Sequence, residues 1–178
     1  MKNRDVAVNS AVYFVFVIIS CFFARIFSNM AVKLADLFVE LQFISASGVR
    51  AVTLMLFSAF FMCFISYKYG YHNAYFDAKE TLVSSLIATA GHFLLALVTL
   101  FSPWIAGATK HIGGFIAFGD RYTSVEYMKK IPMVTLVIIG IVTALLYAGL
   151  LLLGTHLGVK KRLDNRAELI GEKESFEK

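Results

Sequence analysis

Residues 81–102 read TLVSSLIATAGHFLLALVTLFS, 22 residues without Asp, Glu, Lys or Arg. As a helix such a stretch rises about 33 Å, enough to cross the hydrocarbon core of a bilayer. Its one ionisable side chain, His92, falls almost at its centre. Ser84, Ala88, His92 and Ala96 follow one another at i, i+4 spacing and share a face, and three of the four are small. Small side chains let another helix approach closely, so this face is expected to pack inside a bundle. Composition agrees: of 178 residues, 58% are hydrophobic and only 16% charged, whereas a soluble domain is nearer one quarter charged. Seventeen Phe and eight Tyr suit lipid-facing and headgroup-level surface.

Towards the N-terminus, residues 6–24 form a second apolar stretch, preceded by a short head with Lys2 and Arg4. Ile18-Ile19-Ser20-Cys21 resembles a bacterial lipobox, but Phe22, Phe23 and Ala24 follow where lipoproteins carry a polar tether, so a retained span is the preferred reading. Beyond it, Arg25, Asn29, Lys33, Asp36 and Glu40 lie at steps of 4, 4, 3 and 4 among apolar residues. That spacing is one stripe of a helix. It predicts either an amphipathic helix in the membrane interface, with the stripe in water, or a continuation of the first span whose charges line a polar cavity. Ser45–Gly48 is a small-residue break before a further span over residues 49–67. Tyr67, Tyr69, Tyr71 and Tyr75 then crowd a loop at headgroup level.

Towards the C-terminus, Pro103-Trp104 stops the central stretch, and nearly 30 residues separate it from the next apolar run. That connection is long for a small bundle. Its IAGATKHIGGFIAFGDRY segment reads as an interfacial loop, a short helix or a re-entrant piece. GGFIAFGDRY, residues 113–122, resembles the GG…DR segment of lipoprotein signal peptidases, which are also small four-span proteins. It lacks the asparagine of that motif and offers only Asp120, with Glu126 as the nearby acid. The activity is not carried over. Pro132 opens a span over residues 132–157, in which Gly140, Ala144 and Ala148 make a second small stripe, a natural partner for the Ser84/Ala88/Ala96 face. Residues 159–178 form a charged tail beginning Val159-Lys160-Lys161-Arg162.

The expected fold is therefore all-α: a bundle of four transmembrane helices with an amphipathic interfacial helix between the first two. Ten of the 17 Lys and Arg fall on the side of the termini and seven on the other, which favours N and C termini in the cytoplasm of a bacterial cell. Cys21 and Cys63, placed near opposite ends of their spans, are expected too far apart to pair.

His92 carries the functional question. An ionisable residue in a span defaults to a functional hypothesis, yet a neutral histidine also serves as interhelical glue. Thr143 and Tyr147 on the fourth span and Ser58 on the second lie at similar depth. The four histidines fall at different depths, so no metal site, haem or other cofactor is expected, and no basic stripe interleaved with aromatics points to nucleic acid. Expected partners are the lipid bilayer and other membrane-protein subunits or further copies of the chain. Three function classes fit: an accessory or scaffold subunit of a larger transport-type complex, a homo-oligomeric small-solute or proton-coupled transporter or channel using His92, and a membrane enzyme.

Overall fold

The computed structural model describes the backbone over residues 3–38, 46–73, 76–101 and 133–176, and most side chains over 6–34, 53–73, 76–95 and 134–167. Everything described is helix or short connection. The helices are α1 (Asn3–Phe38), α2 (Ala46–His72), α3 (Ala78–Phe101) and α4 (Met133–Phe176). Three of them contain stretches long and apolar enough to cross a membrane: Val6–Leu34, Thr53–His72 and Gly140–Ala167. The protein is an all-helical integral membrane protein. Glu40, Pro132 and the Gly-rich connection with Asp120 lie outside the described residues, as do the side chains of Asp36 and Ala96.

Local chemistry accounts for most of the helix limits. No Gly or Pro occurs before Gly48, so nothing between the first apolar stretch and the Arg25–Glu40 stripe favours a break. The two are accordingly one helix of 36 residues. A separate interfacial helix is not seen over Arg25–Phe38; that segment continues α1. At the other turn, Asp77 caps α3: its Oδ1 accepts the backbone N–H of Lys79 at 2.8 Å and of Glu80 at 3.1 Å, satisfying two donors that the first helical turn leaves over. The last turn of α2 is closed from another helix. The guanidinium of Arg162 on α4 donates to the Tyr71 carbonyl at 3.3 Å and to the His72 carbonyl, placing a cation where the helix dipole is negative. The α4 helix continues unbroken through the polar tail to Phe176.

In the packing, α1 lies against α2 and α3, and α4 lies against the same two. The centre is a cluster of Tyr13, Val17, Met62, Ala88 and Leu151. Glycines bring α2 and α4 together along one seam. A Cβ on Gly70 would run into the backbone of Thr155, one on Gly154 into the Cys63 carbonyl, and one on Gly158 into the backbone of Tyr67 and Tyr71. Close backbone approach of this kind is how helices associate where lipid removes the hydrophobic incentive. Between α1 and α2, Phe23, Phe27, Phe57 and Phe61 interlock with ring centroids 5.3–5.5 Å apart.

Inside and outside are inverted relative to a soluble protein. Among the described residues twelve polar side chains are buried, mostly Ser and Thr, against nine apolar ones, while Met55, Leu56, Phe60, Leu94, Val134 and Leu146 stand about 60–70% exposed. In water this arrangement would be unfavourable at roughly 25 cal/mol for each Å² of apolar surface left out. In lipid it is the stable one, since polar groups must find partners inside.

Both cysteines are free. Because Phe23 stacks on Phe61, Cys21 and Cys63 lie closer in depth than their places in the expected spans imply. The cause is the length of α1, which makes Cys21 a mid-helix residue.

Candidate functional site

The polar interior has three levels. At the end where α1 begins, Asn9 uses both halves of its amide: Nδ2 donates to Glu80 Oε1 at 2.8 Å, and Oδ1 accepts from the Tyr69 hydroxyl at 3.0 Å. Helices α1, α2 and α3 are thereby joined at one point. One turn further in, the Tyr13 hydroxyl lies 3.1 Å from Thr155 Oγ1. Thr155 spends its single proton on the Leu151 carbonyl at 2.8 Å, so Tyr13 must be the donor. This bond crosses the bundle from α1 to α4. The Ser84 hydroxyl reaches the Val6 carbonyl at 3.4 Å.

At the middle level, His92 is 2% exposed on the inner face of α3, one turn beyond Ala88. Ala88 belongs to one cluster with Tyr13 and Val17 of α1, and α1 and α3 run parallel, since the contacts of Val6 with Ser84 and of Phe14 with Gly91 climb both helices together. His92, next to Gly91, therefore stands at about the height of Phe14 and Val15. On α4, Gly140 abuts the ring of Phe93, and Thr143, three residues on, is buried at 8% exposure on the same side. Tyr147 sits against the Ser58 hydroxyl and beside Cys21. Of the four residues expected at one depth, Ser58 and Tyr147 come together, while His92 and Thr143 are both buried on the facing sides of α3 and α4.

At the far level, Ser28 and Thr53 share a hydrogen bond of 2.8 Å between α1 and α2. The charged stripe begins here: Arg25 and Asn29 are half-buried and Lys33 is exposed. Of the small-residue faces, Ser84, Ala88, Gly140 and Ala148 are buried and Ala144 is half-buried. Among the described residues, no three His, Cys, Asp or Glu converge as metal ligands would.

Sequence reasoning passed over Asn9, Tyr13, Tyr69, Glu80 and Thr155, and the glycine seam. The seam had a visible signal, since Gly154 and Gly158 are four apart in GTHLG. The Asn9–Glu80–Tyr69 junction had none, being formed by residues 60 and 71 positions apart. No family model, curated protein or solved structure matches this chain.

Proposed function

We propose that the chain is a four-span protein of a bacterial cytoplasmic membrane, with both termini in the cytoplasm, serving as an accessory or scaffold subunit of a larger membrane complex. The reading treats α3, 24 residues or about 36 Å, as the fourth span. The 36 residues of α1 rise about 54 Å against a core of about 30 Å, so its far end, with Lys33, reaches the outer interface and water.

The observation that carries this reading is the contrast between a locked interior and an apolar exterior with an open groove on α4. Interhelical hydrogen bonds and the α2–α4 glycine seam fix the four helices against one another. The outward face of α4 holds a shallow groove of about 450 Å³ lined by Val142, Leu145, Leu146, Gly149, Leu150 and Leu153. Gly149 leaves room there: a Cβ on it would meet nothing within 4 Å. A rigid bundle with an open apolar wall suits a part that is built into something larger.

His92 favours the second reading, a homo-oligomeric transporter of protons or small solutes. Native mass spectrometry of the protein drawn from its own membrane in mild detergent separates the two. A defined hetero-complex is expected. A homo-oligomer without other chains would sink the accessory reading in favour of transport, and a lone monomer would sink both.

A further inference from the structure

One face of α3 carries Thr81, Ser85, Thr89 and His92 at steps of four, four and three residues. They are 7%, 0%, 1% and 2% exposed, so the line is closed off from the outside of the bundle. Ser85 donates its proton to the Leu82 carbonyl at 2.9 Å, and Thr89 donates to the Ser85 and Leu86 carbonyls at 2.9 and 3.2 Å. Each hydroxyl oxygen thus keeps its lone pairs for a donor from the interior. At the mouth of the line stands the Glu80 carboxylate, half-buried and held by Asn9. Further along α1, beyond the Phe14 ring that meets Gly91, Ser20 Oγ is fully buried and has no hydrogen-bond partner among the described residues. A buried hydroxyl of that kind is where interior water is usually held.

We propose that this face is a proton-transfer line joining Glu80, at the cytoplasmic mouth, to His92 in the middle of the bundle, with water completing each step. The spacing fits. Four residues of helix rise about 6 Å, too far for two hydroxyls to bond directly, and one bridging water spans about 5.6 Å. A proton taken from bulk water by Glu80 passes along O–H bonds. Each oxygen accepts a proton on a lone pair and releases another after turning its O–H away from the helix carbonyl. The net change is one imidazole becoming imidazolium, and nothing else is consumed.

Against this line Asn9 of α1 bonds Glu80 and Tyr13 of α1 lies beside Thr81, with Tyr69 of α2 and Thr155 of α4 bonded to those two in turn. Among the described residues no Asp, Glu, Lys or Arg is buried in the bundle. Of the buried groups there an imidazole is the strongest base, so His92 is the one suited to receive the proton. Every group of the line lies in this chain, and the inference stands whether or not the accessory reading does.

The test uses the full chain in lipid vesicles, ¹⁵N-labelled at histidine, with His72, His111 and His156 replaced by Gln so that His92 alone reports. Solid-state NMR then measures proton exchange between water and the His92 ring. Exchange is expected in this parent. It should slow at least tenfold in Thr89→Val, Ser85→Ala and Glu80→Gln, and recover in Thr89→Ser. Ser66→Ala, which removes a buried hydroxyl bonded within α2 to the Met62 carbonyl, should leave the rate unchanged. Absence of exchange in the parent overturns the proposal. So does an unchanged rate in whichever of Thr89→Val and Ser85→Ala folds, or equal slowing by Ser66→Ala.

Discussion

Gly158→Ala and Gly149→Ala make the same chemical change on the same helix, nine residues apart, and should move stability in opposite directions. At Gly158 the added methyl would lie 2.7 Å from the Tyr71 nitrogen and 2.9 Å from the Tyr67 carbonyl carbon. A comfortable carbon contact is about 3.5–4.0 Å. The obstacles are backbone atoms in mid-helix, so no rotamer change relieves them, and α2 must retreat from α4 by about 1 Å. Overpacking of this size costs about 1–3 kcal/mol. At Gly149 there is nothing to strike, and only the helix preference for Ala over Gly remains, up to about 1 kcal/mol in favour of the variant. The same preference acts at Gly158, so the expected gap between the two variants is the overpacking cost, about 1–3 kcal/mol. Reversible unfolding in mixed micelles, followed by circular dichroism, measures it. Adding Gly154→Ala to Gly158→Ala should cost less than the sum of the singles, because helices already parted accommodate the second methyl. Equal effects at Gly149 and Gly158, or full additivity along the seam, would refute the close-approach reasoning.

Three further outcomes are expected. Tyr13→Phe and Thr155→Val should show a coupling of about 0.6–1.7 kcal/mol in a double-mutant cycle, the range of interhelical hydrogen bonds in membranes; no coupling would mean the bond across the bundle is not formed. Asp77→Ala should lower stability by about 1 kcal/mol, with Asp77→Ser recovering most of it, as for a helix N-cap; hydrogen exchange at the amides of Lys79 and Glu80 reports the loss directly. Arg162→Gln should loosen the last turn of α2, speeding backbone exchange from Tyr69 to Asn73 while leaving the first turn of α3 unchanged.

What the sequence revealed follows from how far each signal reaches. Long runs without charge are local, and they gave away the helical, membrane-embedded class. The stripe from Arg25 to Glu40 was also local; its residues as far as Asp36 lie on α1, in one helix with the first apolar stretch. Setting it apart as an interfacial helix took the end of a hydrophobic run for the end of a helix. A helix ends where backbone chemistry ends it, and neither Gly nor Pro intervenes before Gly48. The junction of Asn9, Tyr69 and Glu80 was invisible because it depends on which helices neighbour which. His92 was conspicuous by position alone; the hydroxyl line beneath it emerges once burial separates the inner Thr81, Ser85 and Thr89 from the outer Leu82 and Ile87.

The unbroken course of α4 has a mechanical meaning. From Gly158, the last contact of the glycine seam, to Phe176 the helix runs about 27 Å. Arg162 and Asn165 tie only its first turns, to the end of α2 and to the Tyr71 hydroxyl at 3.1 Å. The remainder is a stiff pointer whose base is set in the membrane. A 10° change in the tilt of α4 would swing its tip by about 5 Å. Whatever a bilayer or a neighbouring subunit does to that tilt is thus written out, enlarged, in the position of charges well beyond the headgroups.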